Sequence, residues 1–196
     1  MKYLKQIRAE FGRRASFTSK DLVLYLSESG ISRAYLHLLL HNLMKSGELK
    51  RITLGVYTFR EEAEVVGFGF SPFYYGLQEA LSLRNLWEQE TNPVVITPKK
   101  ARPGVRSFLG TNYVVRRIAR KMFFGFEMMK YYDVWIPVSD AEKTLIDFVY
   151  FRLRLPDDAL AEIKSRIRPA VLSGYLERCP ARVVKRVKAL LFIPSK

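Results

Sequence analysis

Apolar residues recur at helical spacing through the first third of the chain. Leu4, Ile7 and Phe11 predict a helix over 2–12, which Gly12-Arg13-Arg14 breaks. Thr18 or Ser19 can cap a second helix through Ser27, with Leu22, Val23 and Leu26 turned inward. Gly30 ends it and Ser32 can cap a third over 33–46. The inner stripe of that helix is Leu36, Leu39 or Leu40, and Leu43, and Gly47 is its stop. The pattern then changes period. Residues 48–53 and 56–59 flank the pair Leu54-Gly55 and predict a hairpin. Three short helices followed directly by a two-stranded hairpin is the element order of a winged helix-turn-helix.

Beyond Arg60 the pattern is different. The acidic stretch 61–64 reads as the start of a linker, so the chain divides into domains over 1–62 and 63–196. The aromatic, glycine-punctuated run 68–76 leads into an expected helix over 74–87. Strands are expected over 93–97, 105–109, 113–118, 122–128 and 132–136, with a basic turn at 99–104. Ser139-Asp140-Ala141-Glu142 has the S-x-x-E form of a capping box and opens a helix over 140–152. Pro156 separates it from helices over 157–167, 170–177 and 181–192. The expected fold class is therefore α+β: a winged helix-turn-helix and then a mixed α+β domain.

Charge sharpens this picture. The 196 residues hold 33 Lys and Arg against 19 Asp and Glu, a net charge of +14. That excess points to a polyanionic partner, nucleic acid ahead of an anionic membrane surface. Residues 1–60 alone hold 11 basic side chains against 4 acidic ones. Cys179 is the single cysteine, so no internal disulfide forms, and no Cys/His cluster has zinc spacing. No metal or cofactor is expected. The charged start lacks the apolar stretch of a signal peptide, and no run reaches the ~20 apolar residues of a membrane span. The expected setting is the cytoplasm, with no membrane partner.

In a helix-turn-helix the second helix of the pair enters the major groove by its N-terminal end. Here that end holds Ser32, Arg33 and Tyr35, and Arg33, His37 and His41 form an i, i+4, i+8 stripe away from the leucines. Arg33 suits bidentate recognition of a guanine edge, and Ser32 and Tyr35 suit phosphates. A wing needs cations and small tip residues, which Lys50, Arg51, Thr53 and Gly55 supply, although edge protection of an exposed strand uses the same residues. Ser19, Arg13 and Arg14 complete the candidate DNA contacts. Arg182, Lys185 and Arg186 on the last helix form a possible second basic surface.

A catalytic alternative rests on Asp140, Glu142, Lys143 and Asp147, the residue types of a metal-dependent nuclease or transferase. The capping box accounts for Glu142, and Asp147 does not share its helix face. Nucleotide-binding, zinc-protease and nucleophile-elbow motifs are all missing, so no catalytic residues are assigned. An RNA-binding module is the other alternative. The aromatics of 68–75 lie among almost no cations, which predicts burial in place of base stacking.

These stretches together resemble the AbiEi-type antitoxins, transcriptional regulators of prokaryotic toxin–antitoxin operons. The likeness is carried by Gly47-Glu-Leu-Lys-Arg-Ile with Gly55-Val-Tyr57, by Ser71-Pro-Phe-Tyr-Tyr-Gly-Leu-Gln-Glu-Ala-Leu81, by Pro93-Val-Val-Ile-Thr97, and by Val138-Ser-Asp-Ala-Glu-Lys-Thr-Leu-Ile-Asp147. It covers about residues 15–155. The resemblance implies an N-terminal domain that binds double-stranded operator DNA and represses its own operon. It also implies a C-terminal domain that counters a nucleotidyltransferase-type toxin, directly or indirectly. The basic helices after Pro156 have no match in that pattern.

Overall fold

A computed structural model describes residues 2–89 and 91–192, so the expected second domain's last residues, 193–196, lie outside it. The architecture is mixed α+β. Two units separate: Met1–Ser71 with Phe108–Thr111, and Pro72–Ser107 with Asn112–Lys196.

The first unit runs α1 (Lys2–Phe11), β1 (Phe17–Thr18), α2 (Ser19–Tyr25), a 3₁₀ turn at Ser27–Ser29, α3 (Arg33–Lys45), β2 (Lys50–Thr53) and β3 (Val56–Thr58). Thr18, not Ser19, caps α2. Its hydroxyl accepts from the Asp21 N–H at 3.1 Å while the Asp21 carboxylate accepts from the Thr18 N–H at 2.7 Å. Ser32 caps α3 by accepting from the Tyr35 N–H at 3.2 Å. Four leucines of α3 are buried, Leu36, Leu39, Leu40 and Leu43, and they pack with Ile7, Phe11, Phe17 and Leu22. Val23 departs from expectation. It is 41% exposed, because the buried row of α2 is Leu22 and Leu26, one turn apart.

The hairpin forms where expected, with Gly55 at φ 74° in its turn. β1 is an addition. Phe17 pairs with Tyr57, giving a three-stranded sheet in the order β1-β3-β2. A two-residue strand has no period to read. The unit also continues past residue 62. Glu61 and Glu62 take ion pairs from Lys50 and Arg60, and a 3₁₀ segment, Ala63–Phe70, follows. There, a Cβ added at Gly69 would lie 2.7 Å from the Ile52 side chain, so this segment is seated against the hairpin.

The second unit contains β4 (Tyr74–Tyr75), α4 (Gln78–Leu83), β5 (Val94–Thr97), β6 (Gly104–Phe108) and β7 (Thr111–Arg117) apart from their terminal Phe108 and Thr111, β8 (Phe126–Tyr131), β9 (Val134–Ser139), α5 (Ala141–Tyr150), α6 (Asp157–Arg166), α7 (Pro169–Glu177) and α8 (Ala181–Phe192). Six strands form one sheet in the order β6-β7-β5-β4-β9-β8, with β4–β9 and β5–β7 parallel. Tyr74 and Tyr75 are fully buried strand residues in the middle of this sheet, not the start of a helix. The expected strand over 122–128 is partly a 3₁₀ turn, Arg120–Met122, with β8 starting at Phe126. Among the described residues no helix is long and apolar enough to cross a membrane.

Candidate nucleic-acid interface

Burial of four leucines on one side of α3 leaves Arg33, His37 and His41 exposed on the other. The Ser32 hydroxyl is engaged as the helix cap. Tyr35 is half-buried, with its ring edge-on to Tyr3 at 6.3 Å. Beside Arg33 a groove of about 420 Å³ opens between α2 and α3. Lys20, Val23, Leu24, Arg33 and His37 are among its lining residues. Leu24 is 75% exposed, so this face offers apolar contact beside its cations. Lys20 was not singled out by the sequence pattern. Its position in the first turn of α2, a half-turn from the cap, is the signal that points to it.

The hairpin's cations divide. Arg51 is exposed, and no carboxylate of the described residues pairs with it. Lys50 is different: its side chain is only 13% exposed and its ammonium contacts Glu61 at 2.8 Å. That contact gives the Lys50 charge a partner within the unit, whereas Arg51 keeps its charge unpaired among the described residues. Thr53 is half-buried beside the turn, and Ser19 is tied to that turn by its N–H, which donates to the Gly55 carbonyl at 3.0 Å. Arg13 is exposed. Arg14 ion-pairs with Glu10, and its guanidinium lies 4.8 Å from the centre of the Phe11 ring, so it braces α1. Arg8 is likewise committed, holding Glu48 through two hydrogen bonds of 2.7 and 2.8 Å.

The carboxylates of α5 have structural partners. The capping box is not the one expected. Asp140 is the cap, accepting from the Lys143 N–H at 2.7 Å, while Ser139 shares a hydrogen bond with Thr144. Glu142 instead receives Arg168 through its backbone N–H at 2.6 Å and its guanidinium at 3.0 Å. Burial pushes the Glu142 carboxyl up, but those hydrogen bonds outweigh it and hold it below the usual range. Tyr175 donates to Asp140 at 2.8 Å, and burial followed by that bond pushes the phenol up to about 12. Lys143 and Asp147 form an ion pair in which both side chains are fully buried, and the Tyr74 hydroxyl donates to Asp147 at 2.8 Å. Among the described residues no three His, Cys, Asp or Glu side chains are grouped to hold a metal ion.

On α8, Arg182, Lys185 and Arg186 are all exposed, and Arg182 lies over the Tyr150 ring at 5.6 Å. Compared with known proteins, the chain matches no family model, and no curated protein is significantly similar to it.

Proposed function

We propose that the protein is a DNA-binding transcriptional regulator whose first unit is a winged helix-turn-helix. The carrying observation is the exposed stripe Arg33, His37 and His41 on α3, whose other face is sealed by leucines and which is followed at once by a hairpin with an exposed Arg51. In this reading the N-terminal part of α3 enters the major groove, Arg33 reads a guanine edge, and Lys20 and Arg13 join Arg51 at phosphates. The resemblance to AbiEi-type antitoxins supports autorepression of a toxin–antitoxin operon. By the same likeness the second unit counters a nucleotidyltransferase-type toxin in the cytoplasm. No catalytic step belongs to this proposal, because the buried Lys143–Asp147 pair has no access to a substrate.

Two substitutions test it. Duplexes selected from a random pool define the preferred sequence, and Arg33→Ala is expected to lower discrimination at one base pair by ~1–3 kcal/mol. Undiminished discrimination in that variant removes Arg33 from base readout. Arg51→Ala is expected to weaken binding to every duplex alike and to flatten the salt dependence by about one counterion. Measurements in chelator separate this binding from a metal-dependent nuclease, which would lose its activity there.

A further inference from the structure

Residues 91–126 hold eight Lys and Arg and neither Asp nor Glu. Topology gathers most of that charge at one end of the second unit's sheet. β5 and β7 are parallel, with Thr97 paired to Arg117, so the residues leaving both strands emerge together. Lys99 and Lys100 follow β5, while Arg117, Arg120 and Lys121 end and follow β7. Arg102 enters β6 at the same end, because β6 runs back along β7 through the short Leu109-Gly110 connection. All six side chains are exposed, and none pairs with a carboxylate of the described residues.

Edge protection does not explain the cluster. Charges that blunt an edge sit along the edge strand itself. The one cation within β6 is Arg106, half-buried, whose guanidinium donates to the Arg102 carbonyl at 3.0 Å. The other six lie off that strand. We infer that this end of the sheet is a second polyanion surface, which grips the phosphate backbone of duplex DNA without reading sequence. Convergent cations with no counter-charge are what backbone binding requires. Single-strand binding requires exposed aromatics as stacking platforms, and Phe108, Tyr113 and Phe124 are all buried. This surface belongs to the second unit alone and goes beyond the α3 interface.

The test uses the full chain with two separate triple variants, Lys99→Gln/Lys100→Gln/Arg102→Gln and Arg117→Gln/Arg120→Gln/Lys121→Gln. Affinity for a random-sequence duplex of about 30 base pairs is followed by fluorescence anisotropy across salt concentration. Each triple variant is expected to lower the log–log salt slope by roughly two and to weaken binding about tenfold near 0.1 M salt. Lys99→Arg/Lys100→Arg should keep the wild-type slope. Unchanged slopes in both triple variants, with wild-type circular dichroism, overturn the assignment. So does a single-stranded RNA that outcompetes the duplex through these residues, or a charge-preserving variant that loses the slope. Loss of binding in the triple variants with no change in Arg33→Ala or Arg51→Ala supports this surface and overturns the α3 interface.

Discussion

Asp147→Ala is expected to destabilise the protein by about 3–5 kcal/mol, because it leaves the Lys143 ammonium buried without its counter-charge. Desolvation of two ions is offset only while both are present and their remaining valences are filled. Here the Tyr74 hydroxyl fills one of them, and the rings of Tyr74 and Phe124 lie 5.3 and 5.2 Å from the ammonium. Gly125 closes the site at φ 71°, where a Cβ would lie 2.8 Å from the Lys143 Cβ. Water has little room to enter and solvate the orphaned charge. Calorimetry of the full chain should show a fall in Tm of roughly 10 °C. The double substitution Lys143→Met/Asp147→Leu should recover most of that loss, since it removes both charges and keeps the volume. An Asp147→Ala protein that melts with the wild type would mean the pair carries no such weight.

The second large effect falls on α3. Leu39→Ala removes a fully buried side chain from the core of the first unit and is expected to cost about 2–5 kcal/mol. Leu38, its neighbour, is 50% exposed, and Leu38→Ala should change stability by less than about 0.5 kcal/mol. Duplex binding should fall with Leu39→Ala as the α3 face loses its support, and should persist in Leu38→Ala. Equal melting of the two variants would contradict the leucine stripe that aims Arg33 outward.

Much of the first unit was legible from periodicity, because α3 packs by one face and its apolar residues say which. The misplacement of Val23 came from reading a seven-residue helix, too short to fix its inner face. The partner of Lys50 was not legible for a different reason. Its ion pair with Glu61 joins residues eleven apart across a turn, and no local pattern announces such a contact. The centre of the second unit was least legible. Tyr74 and Tyr75 are buried on both faces of a sheet, so they lack the alternation that marks a half-buried strand. Glu142 shows that a matching motif can still be answered by a distant partner, Arg168, when the neighbouring residue already caps the helix. Charge clustering was visible in sequence only as a basic turn, because its convergence depends on the parallel pairing of β5 with β7.

The parallel pairing of Tyr75 with Val138 has a consequence for synthesis. The first unit is built largely from contacts between neighbouring elements, which favours folding in milliseconds or less. The sheet of the second unit cannot be completed until a strand sixty-three residues downstream has been made. At ~5–20 residues per second that interval lasts several seconds. The leading third of each nascent chain is therefore expected to be largely folded while the trailing two-thirds still presents unpaired strands. For that interval the second unit is the part of the molecule most dependent on chaperones.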